Sequence, residues 1–198
     1  MANPGLRGRL RRFVRERDGV SAVEFALILP FMLTLYLGGS ELGDGMAIQF
    51  KATLAARTVA DLATQYTNIP DLTTMNQILG AASTVVTPYA TANMTVTVSE
   101  LQLTNGSATG SVKWSASNSG NGRAVNSTFP LPTAMQALAT ATNPTVYLIL
   151  GEVTYPYTPA MGYAITGTIN IYEDVVFSPR LASCVQYTIN GTATPPSC

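Results

Sequence analysis

From Phe25 to Ser40 the chain carries no charge, and the 21 residues from Val20 to Ser40 hold one acid, Glu24. At about 1.5 Å of rise per residue, a helix of this length spans roughly 30 Å, the thickness of a bilayer core. Beyond Ser40 the apolar positions become periodic. Leu42, Met46, Phe50, Leu54, Thr58, Leu62 and Tyr66 recur every four residues, flanked by Ala47, Ala55, Val59 and Ala63. Lys51, Arg57 and Asp61 fall mainly on the other side. The pattern predicts an amphipathic continuation whose large apolar stripe packs on a domain. The two parts read as one long helix from about Ser21 to Tyr66. Pro30 and the glycines between Gly38 and Gly45 are the places for a bend, because proline removes a helix bond and glycine weakens the interior. Asn68-Ile69-Pro70 stops the helix.

Asp71 or Thr73 can cap a second, shorter helix through Met75, Ile78, Leu79, Ala82 and Val86, which Pro88 ends. The period then changes to two. Thr95-Val96-Thr97-Val98 alternates, and Leu101-Gln102-Leu103 alternates in the opposite phase, which predicts a bulge near Ser99-Glu100. Asn105-Gly106 is a turn signal before a returning strand over 111–116. Pro132 to Ala141 reads as a short helix. Val146–Tyr155 and Ile165–Phe177 read as two further strands around the proline-containing turn 156–161. Two hairpins can join as one four-stranded antiparallel sheet covered by the amphipathic half of the long helix. The expected fold is an α+β layer. The domains read as a basic leader (1–19), a transmembrane helix (20–40), its amphipathic continuation (41–66) and an outward-facing domain (67–198).

Charge sets the orientation. Residues 1–19 hold six arginines against Glu16 and Asp18, a net of +4, and the rest of the 198-residue chain carries −4. A basic tail can mark nucleic acid or a cytoplasmic flank, and the apolar run beside it decides for the flank, so no nucleic-acid partner is expected. A cleavable secretory signal competes, but its apolar region runs about 7–15 residues and closes at an A-x-A-like site, which Leu37-Gly38-Gly39-Ser40 does not resemble. Facing outward, Cys184 and Cys198 meet an oxidising compartment, where a pair is usually a disulfide. Closing a loop of about 15 residues is worth on the order of 3 kcal/mol, and two unpaired thiols are the alternative. The chain has no histidine. That removes the commonest general base, the Ser-His-Asp and Cys-His arrangements and most zinc sites. No phosphate-binding loop, dinucleotide fingerprint or paired-carboxylate motif occurs, so no enzyme, metal or cofactor is expected.

The junction between leader and anchor carries the functional signal. A cut after Gly19 would leave Val20 first and Glu24 fifth, an arrangement that resembles the processing site of type IV prepilins. A carboxylate inside a membrane helix costs about 2.5–3.5 kcal/mol near the centre and less at the edge, so such residues are usually functional or paired; an interfacial glutamate at headgroup depth is the alternative. The stretch from Gly19 to Pro30 is similar to the N-terminal signature of TadE-like proteins, minor pilins or pseudopilins of the tight-adherence (Tad, or Flp) pilus. Glu41-Leu42-Gly43 and Val153-Thr154-Tyr155-Pro156-Tyr157 are also similar to that family. The resemblance implies cleavage at Gly19–Val20 by a prepilin peptidase in the bacterial inner membrane. It implies an assembly role for Val20, Glu24 and Phe25, with other pilins as partners in building or priming a pilus. The outward domain would be periplasmic or carried into a surface pilus. TadG-like relatives keep a similar anchor unprocessed, so a membrane-anchored assembly factor or extracytoplasmic binding domain is the alternative.

Three further signals carry less. Gly39-x-x-x-Gly43 permits close helix contact in a membrane or a flexible join at its edge. Asn93, Asn105, Asn126 and Asn190 lie in Asn-x-Ser/Thr sequons, which a Thr-, Ser- and Asn-rich bacterial chain produces by chance. Trp114, Tyr147, Tyr155, Tyr157, Tyr163 and Tyr172 sit on or beside expected strands and read as sheet packing.

Overall fold

The structure, a computed structural model, describes residues 18–120, 122–159, 167–189 and 192–193. In order these form α1 (Asp18–Thr64), β1 (Asn68–Ile69), α2 (Leu72–Val86), β2 (Thr95–Thr104), β3 (Thr109–Ser117), β4 (Thr128–Pro130), α3 (Thr133–Gln136), β5 (Thr145–Tyr157), β6 (Ile169–Phe177), β7 (Gln186–Ile189) and β8 (Thr192–Ala193). The α+β class with a long N-terminal helix is as expected. The residues fall into two compact units, divided within α1 between Asp44 and Gly45.

In the first unit α1 is uninterrupted through Pro30, and Thr34 Oγ1 donates to the Pro30 carbonyl at 2.8 Å. Its large apolar side chains from Val20 to Tyr36 are 37–75% exposed. By length and composition this helix can cross a membrane. An apolar surface of this extent is stable in lipid and costly in water, which is the surface that a membrane anchor presents.

The second unit is a five-stranded antiparallel sheet of order β4-β3-β2-β5-β6 and a small sheet of order β1-β7-β8. Four strands were expected in one sheet. The fifth, β4, is three residues long and pairs Thr128–Pro130 with Ser111–Thr109, too short for alternation to register. β1 occupies the expected helix-stop triplet and pairs in parallel with Gln186–Tyr187, more than a hundred residues away, so no local pattern announces it. The expected helix over 132–141 shrinks to α3, after which the chain turns to bury Ala139. α2 follows the sequence closely. Asp71 caps it by accepting the Thr74 N–H at 2.7 Å, and Met75, Ile78, Leu79, Ala82 and Val86 are its buried face. The bond to Thr74 holds the Asp71 carboxyl below the usual carboxylate range.

The expected bulge is present, with its extra residue on the neighbouring strand. Glu100 pairs with Trp114 and Leu101 with Val112, leaving Lys113 of β3 unpaired. Pairing of β2 with β5 is unbroken from Thr95 to Thr104. The opposite phase in β2 therefore marks a change of covered face. Val96 and Val98 join the core with α1 and α2, together with Trp114, Ile149 and Val153. Leu101 and Leu103 join a second core on the other face with Val112, Leu148, Leu150, Phe129 and Leu131.

Part of the expected packed stripe of α1 holds, since Ala55, Val59 and Ala63 are buried and Leu62 and Tyr66 pack on the core, and the largest correction concerns the rest of its line. Met46, Phe50 and Leu54, expected against the sheet, are 61%, 71% and 44% exposed. The buried side is Ile48, Ala52, Ala55, Ala56, Val59, Ala60 and Ala63. Close approach is the reason. A Cβ added to Gly151 of β5 would lie 2.6 Å from the Ala56 carbonyl oxygen and 2.8 Å from the Ala60 Cβ. At that separation only small side chains fit between helix and sheet, and phenylalanine or methionine must turn away.

Candidate assembly site

The predicted site residues begin at the first turn of α1. Gly19, Val20, Glu24 and Phe25 are all exposed, and Val20 and Glu24, four apart, share one helix face. Gly39 and Gly43 also share a face, and a Cβ at either would meet nothing within 4 Å. In the Glu41-Leu42-Gly43 triplet, Glu41 is buried and Leu42 is exposed. Residues 1–17 of the leader lie outside the described residues.

In the second unit the rotation of α1 is set by polar tethers that no periodicity signals. Glu173 of β6 accepts Gln49 Nε2 at 3.1 Å and Thr53 Oγ1 at 2.9 Å. On the other flank Lys51 Nζ donates to the Val85 carbonyl at 3.3 Å and to that of Thr87, and lies 5.9 Å from the Tyr89 ring centroid. A cation at the carbonyl end of α2 is favoured by the helix dipole. Lys51 was expected on the solvent side; it closes the helix against its neighbour. Between these tethers Met46, Phe50 and Leu54 stand at consecutive turns, and Phe50, Thr53, Leu54 and Arg57 line a shallow recess.

Two polar groups of the sheet escaped sequence reasoning. Glu152, nearly buried on the face opposite α1, is held bidentately by Arg123, with Nε 2.7 Å from Oε2 and Nη2 2.6 Å from Oε1. Tyr172 donates to Oε1 at 2.6 Å, and Arg123 lies 4.8 Å from the Phe129 ring centroid. Burial and then Glu152 push the Tyr172 hydroxyl above its ordinary range. The second group is Glu100, fully buried at the bulge on the α1 side of the sheet. Its Oε1 accepts the Val185 N–H at 2.7 Å, and its Oε2 has no hydrogen-bond partner among the described residues. Trp114 Nε1 donates to the Val185 carbonyl at 2.7 Å, so side chains of β2 and β3 hold both backbone groups of one residue. Burial pushes the Glu100 carboxyl up to about 8; the Val185 N–H, Trp114 and Lys113 pull the other way.

Cys184 is buried beside Val185, and Cys198 lies outside the described residues. Trp114, Tyr155 and Tyr157 are core residues, Tyr172 is partly exposed, and Tyr163 lies outside the described residues, as does Asn190. Among the described residues no group of three or more His, Cys, Asp or Glu side chains is placed to hold a metal.

Residues 19–61 match the family model of TadE-like proteins. The match covers most of α1, from its second residue to within a turn of its end. No curated protein and no solved structure matches the chain.

Proposed function

We propose, from the premise that this chain carries the TadE-like segment of a Tad pilus component at residues 19–61, that it is a minor pilin or pseudopilin that takes part in assembling or priming the pilus. It is an assembly subunit and a peptidase substrate, not an enzyme. A prepilin peptidase removes the leader between Gly19 and Val20. The new α-amine at Val20 pairs with Glu24 of a neighbour, which favours one axial register at a desolvation cost. The protein sits in the bacterial inner membrane with its N-terminus cytoplasmic and its sheet domain periplasmic, from where it can enter a surface pilus.

The observation that carries this reading is the row of large apolar side chains that α1 leaves outward. Its small residues pack on the sheet, and Met46, Phe50 and Leu54 are left outward. The uncharged run ends at Ser40, so these side chains lie past the segment that lipid can cover. Fully burying each is worth about 1.5–3 kcal/mol, and in this reading the helix of a neighbouring subunit covers them. The test is Phe50→Asp in cells that build the pilus. The domain should stay folded, because Phe50 makes no part of either core. Co-purification with other pilus subunits should fall severalfold. Undiminished association at matched expression would reject the role of this face. Mass spectrometry of the mature N-terminus separates the alternative. A chain that begins at Val20 supports the pilin reading, and an intact leader beside an active peptidase favours a TadG-like anchored factor.

A further inference from the structure

The second unit is closed by a C-terminal strap, the segment from Ser183 through β7, whose strand pairs with β1. Val185 is where the strap is hydrogen-bonded by side chains of the large sheet. Val185 is fully buried, its N–H bound by Glu100 and its carbonyl by Trp114. Tyr187, two residues on, packs its ring 5.6 Å from that of Trp114. Glu100 is the odd member of this arrangement. One oxygen is used, and the other is buried with no hydrogen-bond partner among the described residues. An ionised carboxylate with an empty buried oxygen is expensive, whereas a protonated one keeps its acceptor for Val185 and loses little.

We propose that Glu100 is a proton-operated latch on the C-terminal strap, closed by the neutral carboxyl together with the Trp114 indole and loosened as the pH rises. The groups facing Glu100 leave the proton with it. On β3 they are Trp114, which does not titrate, and Lys113, whose charge opposes protonation without reversing it. Across on β5 stands Ile149, with Tyr147 one pair along, hydrogen-bonded to Gln102. The strap contributes Tyr187, whose hydroxyl is shifted up by burial and then by Asp71. α2 carries no titratable residue, and at the end of α1 Asp61 is paired with Arg180.

The sign follows from linkage. Glu100 holds its proton to about pH 8 in the closed state and, once hydrated by opening, loses it near 4.5. Between those values the open state binds fewer protons than the closed one. Opening therefore becomes more favourable as pH rises, by about tenfold per pH unit, and levels off above 8. Below 4.5 the latch is at full strength.

The experiment is hydrogen exchange of the full chain in detergent micelles from pH 5 to 9, corrected for intrinsic exchange rates. The emission of Trp114, the sole tryptophan, is followed in parallel. The wild-type strap, residues 183–189, should lose protection by about tenfold per pH unit up to pH 8, while α2 changes little. Glu100→Gln keeps the acceptor for Val185 and has no proton to lose. Its strap should stay protected across the range, and its Trp114 emission should not change with pH. Equal pH profiles in wild type and Glu100→Gln would overturn the proposal. Should the variant not fold, the wild type still decides, because a strap whose protection is flat or rises with pH contradicts the latch.

Discussion

At the scale of single residues, the same physics governs both buried carboxylates, and their partners make them different. Glu100 has one neutral donor for one oxygen. Glu152 has a guanidinium across both oxygens and a tyrosine hydroxyl besides. The pair with Arg123 is asymmetric in burial, since Arg123 keeps 31% of its side chain in solvent and Glu152 only 8%. Removing the arginine strands a buried charge beside Asp174, which faces Glu152 across β5 and β6. Removing the glutamate's charge leaves a guanidinium that water can reach. Arg123→Ala should therefore destabilise the domain by roughly 2–4 kcal/mol and Glu152→Gln by clearly less. Urea denaturation of both variants checks the order; equal losses would mean that the stranded carboxylate is not the dominant cost. Neither group was legible in the sequence. The phase reversal marks Glu100 only as a place where pairing changes, nothing marks Glu152, and their partners lie up to 85 residues away along the chain.

At the scale of elements, α1 shows how packing distance overrides side-chain size. Periodicity identified the helix, its length and its stop to within a few residues. It then assigned the packed face to the larger side chains. The structure buries the alanine side because Gly151 lets the helix backbone come down onto β5. Gly151→Val tests this at one position. The new side chain would meet the Ala56 carbonyl and the Ala60 methyl, neither of which can swing aside, so α1 must lift. A loss of about 1–3 kcal/mol is expected, as for overpacking elsewhere. Thermal melting checks it, and a value within 0.5 kcal/mol of wild type would show that the contact relaxes freely. β2 gives the complementary lesson. The phase reversal at Glu100–Leu101 was visible in the sequence, but whether it meant an inserted residue in β2 or a change of covered face depended on β3, β5 and β4 with its Phe129.

At the scale of the whole molecule, a long helix whose residues 19–61 match the TadE-like family model continues into an α+β domain, and the proposed Cys184–Cys198 disulfide would tie the C-terminal tail. Loss of that bond through Cys198→Ser should cost roughly 2–4 kcal/mol. The measurement is the urea midpoint of the oxidised protein against the variant, with non-reducing peptide mapping alongside. Two free thiols in protein taken from the cell envelope would reject the bond. What the sequence determined alone is what short-range chemistry controls. The uncharged run sets the segment that can cross a membrane, the charge step at Gly19 its proposed orientation, Asp71 and Pro88 the ends of α2, and Asn105-Gly106 the turn between β2 and β3. Each depends on neighbours within a few residues. Tertiary structure decided the rest: the face of α1 that packs, the edge strand β4, the parallel pairing of β1 with β7, and the partners of Glu100 and Glu152. These depend on which distant backbones approach one another and how closely. A chain pattern specifies that a side chain is apolar or charged, but burial and pairing belong to the surface it meets after folding.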